Sequence, residues 1–272
     1  SRHMSWLHCM WGVGASAGPV IMGRALAGGS WQGGYRIISL IQFGLTAVLL
    51  LSLPLWKRPE KTPEGADYTP EHRTLPQLLR MPGVPQVLLC FFCYCALEST
   101  AGMWAASYCT LVRGIDAGTA AGWASTFYLG ITIGRGVCGF LTIKINDQNM
   151  IRLGQVLIAL GVVLVLLPAG QGVLFAGLVT IGLGCAPVYP SIIHETPANF
   201  GREVSLAMTG IQMAFAYVGS CLMPPLFGLL AQYVTPALYP WFLAALLALM
   251  FSMAESLHRR TREKRRAVET GR

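Results

Sequence analysis

Charge is what this sequence has least of. Only 12% of its residues are charged and 54% are hydrophobic, whereas about a quarter of a soluble domain is charged. A chain so short of charge cannot cover a water-facing surface, which excludes an ordinary soluble enzyme or binding domain. Alternation is missing as well. The apolar runs are continuous rather than ten-residue segments of in-out periodicity, and this excludes a membrane β-barrel. The number of runs and the opening at Ser1 without an initiator Met exclude a secretory signal peptide. No nucleophile–base pair and no metal-ligating cluster can be read, so no enzyme activity, cofactor or metal is expected. Eight cysteines are present, and Cys90, Cys93 and Cys95 lie close together, but no His or carboxylate accompanies them closely. They read as free, apolar packing thiols.

What the chain does have is eight apolar stretches, near 4–23, 36–56, 84–108, 119–141, 151–168, 172–193, 205–230 and 238–256. About 20 apolar residues in a helix cross a bilayer with every backbone amide paired. The fold class is therefore an all-α polytopic membrane protein with eight transmembrane helices. Two stretches precede a long charged loop and six follow it. Residues 1–56 read as the last two helices of an N-terminal bundle and 57–82 as a cytoplasmic central loop. Residues 83–256 read as a C-terminal six-helix bundle and 257–272 as a basic cytoplasmic tail. The loop is rich in Pro and in charges of both signs, and Leu75–Met81 is expected to form a short amphipathic helix within it. A faint repeat, Gly14 to Gly18-Pro19 with Gly23 and Gly219 to Pro224 with Gly228, is 205 residues apart. Parallel six-helix repeats would produce it, so the spans correspond to helices 5–12 of twelve. The chain then reads as roughly the C-terminal two thirds of a transporter.

The net charge of +8 raises nucleic-acid binding, and the placement of the charge argues against it. With the C-terminus in the cytoplasm, sixteen Lys and Arg fall on that side and three (Arg24, Arg36, Arg113) on the other. This positive-inside bias orients the chain in a cell inner (plasma) membrane. The tail His258–Arg266 then touches anionic headgroups.

Glu98 is the one carboxylate deep inside a span, and an unpaired ionised carboxylate there is costly. It must face a cavity or a partner, in substrate or proton duty or in a structural hydrogen bond. Tyr94 lies on its face and Trp104 a little round the helix. An aromatic beside a hydrogen-bonding carboxylate suits a sugar ring. Arg135 sits nearer the cytoplasmic end of its span, where it can snorkel. With Lys144 and Arg152 it forms a candidate gating set, pairing with helix C-termini or acids of the other bundle in one state only; substrate binding and passive anchoring are the other readings. Pro187 and Pro190 free backbone carbonyls, which a cavity must accommodate, and Tyr189 between them can point a hydroxyl into it. Gln212, Tyr217, His8 and Trp11 are further groups at cavity depth. Gly14, Gly18 and Pro19 would let the first helix pack closely or bend.

These residues resemble the major facilitator superfamily and, within it, the fucose/proton symporter-like branch of sugar permeases. The resemblance rests on Ser5 to Gly14 followed by Gly18-Pro19, on Glu98 to Trp104, on Gly130 to Arg135, and on Tyr189-Pro190 with Asn199-Phe200-Gly201. It implies alternating access between two six-helix bundles around a central cavity, often with proton coupling. Tyr189 takes the position of the family's cavity-facing tyrosine, while His8 and Trp11 differ in type from the amides expected on helix 5. The partners implied are a small-molecule substrate, H+ and the lipid bilayer, with the protein a monomer. Export of drugs by proton antiport is the competing function, because Gly14 to Pro19 also resembles the helix-5 motif of such antiporters. A third reading is an incomplete fragment without transport of its own.

Overall fold

The computed structural model describes residues 2–56 and 73–269, and within these the side chains of all but 2–8, 16, 19, 20, 23, 26, 27 and 264–269. Most of the central loop, from 57 to 72, thus lies outside the described residues. Nine α-helices and no strand are present among them: α1 (Arg2–Ala27), α2 (Trp31–Ser52), α3 (Leu75–Leu79), α4 (Val84–Leu111), α5 (Ala117–Leu141), α6 (Asp147–Leu166), α7 (Gln171–Phe200), α8 (Arg202–Tyr233) and α9 (Tyr239–Glu269). Six stretches among the described residues, in α2, α4, α6, α7, α8 and α9, are long and apolar enough to cross a membrane. Helices α1 and α5 match them in length.

The chain divides into two compact units, 1–13 with 71–272 and 14–70. In the smaller unit, α1 ends on Gly29 at φ +82°, with the Ser30 amide donating back to the Ala25 carbonyl. The Ser30 side chain then caps α2 through the Gly33 amide at 3.1 Å. Gly34 of α2 lies against Met22 of α1, where a Cβ would have no room.

In the larger unit, α4 is the hub, packed on α5, α7, α8 and α9. Phe91, Cys93, Ala96 and Leu97, which point in widely separated directions around α4, are all fully buried. Helix α7 is squeezed between two neighbours through glycine. A Cβ on Gly182 would collide with the Phe127 carbonyl of α5, and one on Gly184 would reach within 2.7 Å of the Gly154 carbonyl of α6. Gly130 and Gly134 answer from α5, and Gly161 from α6 against Gly177. In lipid, where apolar burial between helices gains little, this backbone-to-backbone approach is what brings them together. One residue, Gly201 at φ +99°, makes the whole connection from α7 to α8. That left-handed backbone is strained for any residue with a Cβ.

Three local expectations meet the structure differently. The amphipathic segment forms as α3, its N-terminus closed by a Thr74/Gln77 capping box. Of the α1 glycines, Gly12, which belongs to the larger unit, makes a close approach, against Thr132 of α5. The last helix does not stop where its apolar residues do but runs on to Glu269, because intrahelical hydrogen bonds need no apolar surroundings. Arg113 closes the opposite end of α6, donating to the Leu167 carbonyl at 2.8 Å and to that of Ala169 at 3.2 Å.

Candidate functional site

Six of the residues singled out in the sequence, Tyr217 among them, meet around one cavity of ≈ 250 Å³. Glu98 of α4, Arg135 of α5, Tyr189 of α7 and Trp11 of α1 line it, and Tyr94 supports it from behind. Cys95 and Ser99 of α4 add to it, and the facing wall comes from α8, where Met213, Ala216, Tyr217 and Ser220 share one helical face.

Glu98 is the centre of the arrangement. The Tyr94 hydroxyl, one turn earlier on the same helix, donates to its Oε2. That hydroxyl also stands 3.0 Å from the Cys185 carbonyl of α7, so its single proton has two acceptors to choose between. Arg135 Nη2 stands 3.5 Å from the same Glu98 oxygen, with the Arg135 side chain 3% exposed and that of Glu98 15%. The other side of the guanidinium is covered by the Trp11 ring, whose centroid is 4.7 Å away. A carboxylate, a phenol, a guanidinium and an indole thus form one connected chain, open to the cavity on the Glu98 side. The snorkelling expected of Arg135 does not occur: Glu98 and Trp11 hold the charge inside.

Tyr189 projects from the proline-bearing stretch of α7, which stays helical through Pro187, Pro190 and Pro197. Its ring packs 5.0 Å from Phe91 and 6.2 Å from Tyr94, and its hydroxyl lies 3.2 Å from Met213 Sδ.

Other residues are placed elsewhere. Trp104 turns to α8, donating Nε1–H to the Pro224 carbonyl at 3.0 Å and packing on Phe227, so it does not reach Glu98's cavity. Gln212 is fully buried behind the cavity wall, accepting from the Thr196 hydroxyl at 2.9 Å. Gln212 and Met213 lie about 100° apart on a helix, and it is Met213 that faces the cavity. The side chains of His8 and Pro19 lie outside the described residues.

The candidate gating residues separate. Lys144 is exposed in the turn after α5. Arg152 forms a bidentate pair with Glu255 of α9 at 2.6 and 2.8 Å. That acid belongs to the same compact unit, not to another bundle as the sequence suggested, because α6 and α9 are packed neighbours. A few residues away, His194 of α7 sits 2.6 Å from Asp147 of α6. The acids of both pairs went unrecognised in the sequence, where residues 103 and 47 positions apart give no signal of contact.

The residues that sequence reasoning left out of the site are Cys95, Ser99, Met213, Ala216 and Ser220. Met213, Ala216, Tyr217 and Ser220 recur at helical spacing, and that periodicity, started from Tyr217, would have found the wall. Among the described residues no group of His, Cys, Asp and Glu could hold a metal ion.

Comparison with known proteins gives this arrangement a setting. The family model of the Major Facilitator Superfamily matches residues 1–193 and 116–272. The fold is similar to that of a variant of the E. coli fucose:proton symporter, FucP, at a TM-score of 0.64 and 18% identity over 82% of this chain and 55% of that one. It is similar also to a transporter structure titled FucP in the outward conformation, at 0.61 and 20% over 83% of this chain and 54% of that one. The chain therefore spans little more than half the length of those structures. No curated protein matches it. All-helical, multi-pass and covered by the family model along its whole length, the chain belongs to the Major Facilitator Superfamily.

Proposed function

We propose that the protein is a secondary transporter that moves a small polar solute, a sugar, across the inner membrane by alternating access, coupled to protons. One observation carries the reading: an intramembrane carboxylate, Glu98, opens on a cavity while held by Tyr94 and Arg135. Ionisable residues inside membranes are rare and commonly mark ion and substrate pathways. Protonating Glu98 removes the negative partner of Arg135 and leaves a guanidinium, a neutral acid and the Tyr94 hydroxyl facing the solute. The half-exposed Trp11 and exposed Tyr217, with Tyr189, offer aromatic faces on which a sugar ring can stack. Similarity in fold to a protein titled a fucose:proton symporter supports this solute class and this coupling. Lys144, exposed in the turn after α5, and Arg152, paired with Glu255, are assigned to gating as part of this reading.

The test is uptake of radiolabelled sugars into proteoliposomes of the natural protein, with and without an inwardly directed proton gradient (acid outside). Saturable uptake stimulated by the gradient is expected, and Glu98→Gln should abolish the stimulation. Gradient-driven expulsion of amphipathic dyes with no sugar uptake would replace this reading with drug/proton antiport. Unaltered coupling in Glu98→Gln would remove Glu98 from its role.

A further inference from the structure

Away from that cavity, α6 and α9 leave a groove of ≈ 380 Å³ between them. It exists because the facing positions are small: Ala159 on α6, and Ala244 and Ala248 one turn apart on α9. Val163 and Phe251 supply apolar walls. From Gln155 to Leu166 the groove follows α6 for about 16 Å at 1.5 Å per residue. That is close to one leaflet of a hydrocarbon core ~30 Å thick. Both helices are long and apolar enough to cross a membrane, and Val156, Val163 and Phe251 of the groove are exposed, as lipid-facing side chains would be.

Its lining is apolar with one exception. Gln155 is 2% exposed, and neither its Nε2 nor its Oε1 has a hydrogen-bond partner among the described residues. A buried primary amide with both ends unpaired is costly in hydrocarbon, and a turn of its side chain toward the groove would let it both donate and accept. Gln155 sits two turns into α6, near the end where Arg152 pairs with Glu255. Phe251 ends the groove there and also lines the polar surface formed by Ser252, Ser256, Arg259 and Arg260 of α9. Of the two acids on that surface, Glu255 is already engaged by Arg152, which leaves Glu263 against two arginines.

We infer that the groove between α6 and α9 is a binding site for one anionic glycerophospholipid of the bilayer. One acyl chain lies along the alanine-floored trough, a glycerol ester oxygen meets the Gln155 amide, and the phosphate lies against Arg259 and Arg260. The three features occur in the order in which a phospholipid presents its parts, from bilayer centre to headgroup. No other buried polar group is needed to specify it, and anionic lipid is favoured over zwitterionic lipid by the charge excess at the headgroup end.

The protein reconstituted with equal amounts of phosphatidylglycerol and phosphatidylcholine, then stripped in mild detergent and weighed by native mass spectrometry, tests this. The expected result is one retained phosphatidylglycerol per chain. Ala248→Phe, which fills the trough, should abolish retention. Gln155→Leu keeps the volume and removes only the amide; it should weaken retention about tenfold while leaving the thermal midpoint in lipid-free detergent the same or higher. Replacing Arg259 and Arg260 together by Ser should erase the preference for phosphatidylglycerol. Retention unchanged in Gln155→Leu, or phosphatidylcholine held as well as phosphatidylglycerol by the unaltered protein, would overturn the assignment. Should Ala248→Phe fail to fold, the Gln155 and arginine variants still decide it.

Discussion

The ion pair between Glu98 and Arg135 stands or falls as a unit. A charge left alone in a buried site costs about 3–5 kcal/mol, whereas removing both charges together is often neutral. Arg135→Met should therefore lower the thermal midpoint in detergent strongly, and adding Glu98→Gln should recover most of the loss. Simple additivity of the two substitutions would mean that the pair is not coupled. A second titratable residue gives a pH signature outside the spans. The Thr119 backbone amide donates to Asp116 at 3.0 Å and holds that carboxyl below the usual carboxylate range. Its cap on α5 is thus fully present above the unfolded value near ~4 and is lost as pH falls below that toward the lowered folded value. Amide exchange at Thr119 should accelerate in acid, and Asp116→Asn should flatten the dependence. Single residues were unevenly legible in the sequence. Glu98 announced itself because a lone carboxylate in an apolar run has so few explanations. Its Arg135 partner did not, because depth along a helix gives no rotation angle, and Trp104 turned out to face α8 for the same reason.

At the scale of elements, glycine on α7 decides how tightly α5 and α6 can close on it. Gly182→Ala places a methyl into the Phe127 carbonyl and is expected to cost about 1–3 kcal/mol as the helices separate. Gly210→Ala in α8 meets open space and should stabilise the chain, by up to ~1 kcal/mol through helix propensity. Thermal denaturation of the two variants side by side would show it, and equal shifts would mean that the α5–α7 contact is slack. The helices themselves could be read with little error: the apolar run at 84–108 became Val84–Leu111 and that at 119–141 became Ala117–Leu141. Hydropathy reports the solvent around a helix, though, not the end of its hydrogen bonding, and so it missed the extension of α9. Nor does it say which helices are neighbours. The interlocked glycines of α6 and α7 became visible only when the two helices were laid together.

For the molecule as a whole, the positive-inside count predicts that the basic end of α9 lies in the cytoplasm, and this can be measured directly. In a background without native cysteines, a cysteine at Gly170 should react with an impermeant maleimide in intact cells. One at Thr270 should react only after permeabilisation, and the reverse pattern would invert the topology. The length of α9 matters here too. Its 31 residues extend about 46 Å, well beyond the ~30 Å hydrocarbon core. A soluble domain joined in helical register at Glu269 would be carried on a rigid arm at a fixed height above the bilayer. That makes the C-terminus a natural place to attach an alignment marker for electron microscopy of a protein otherwise hidden in its micelle.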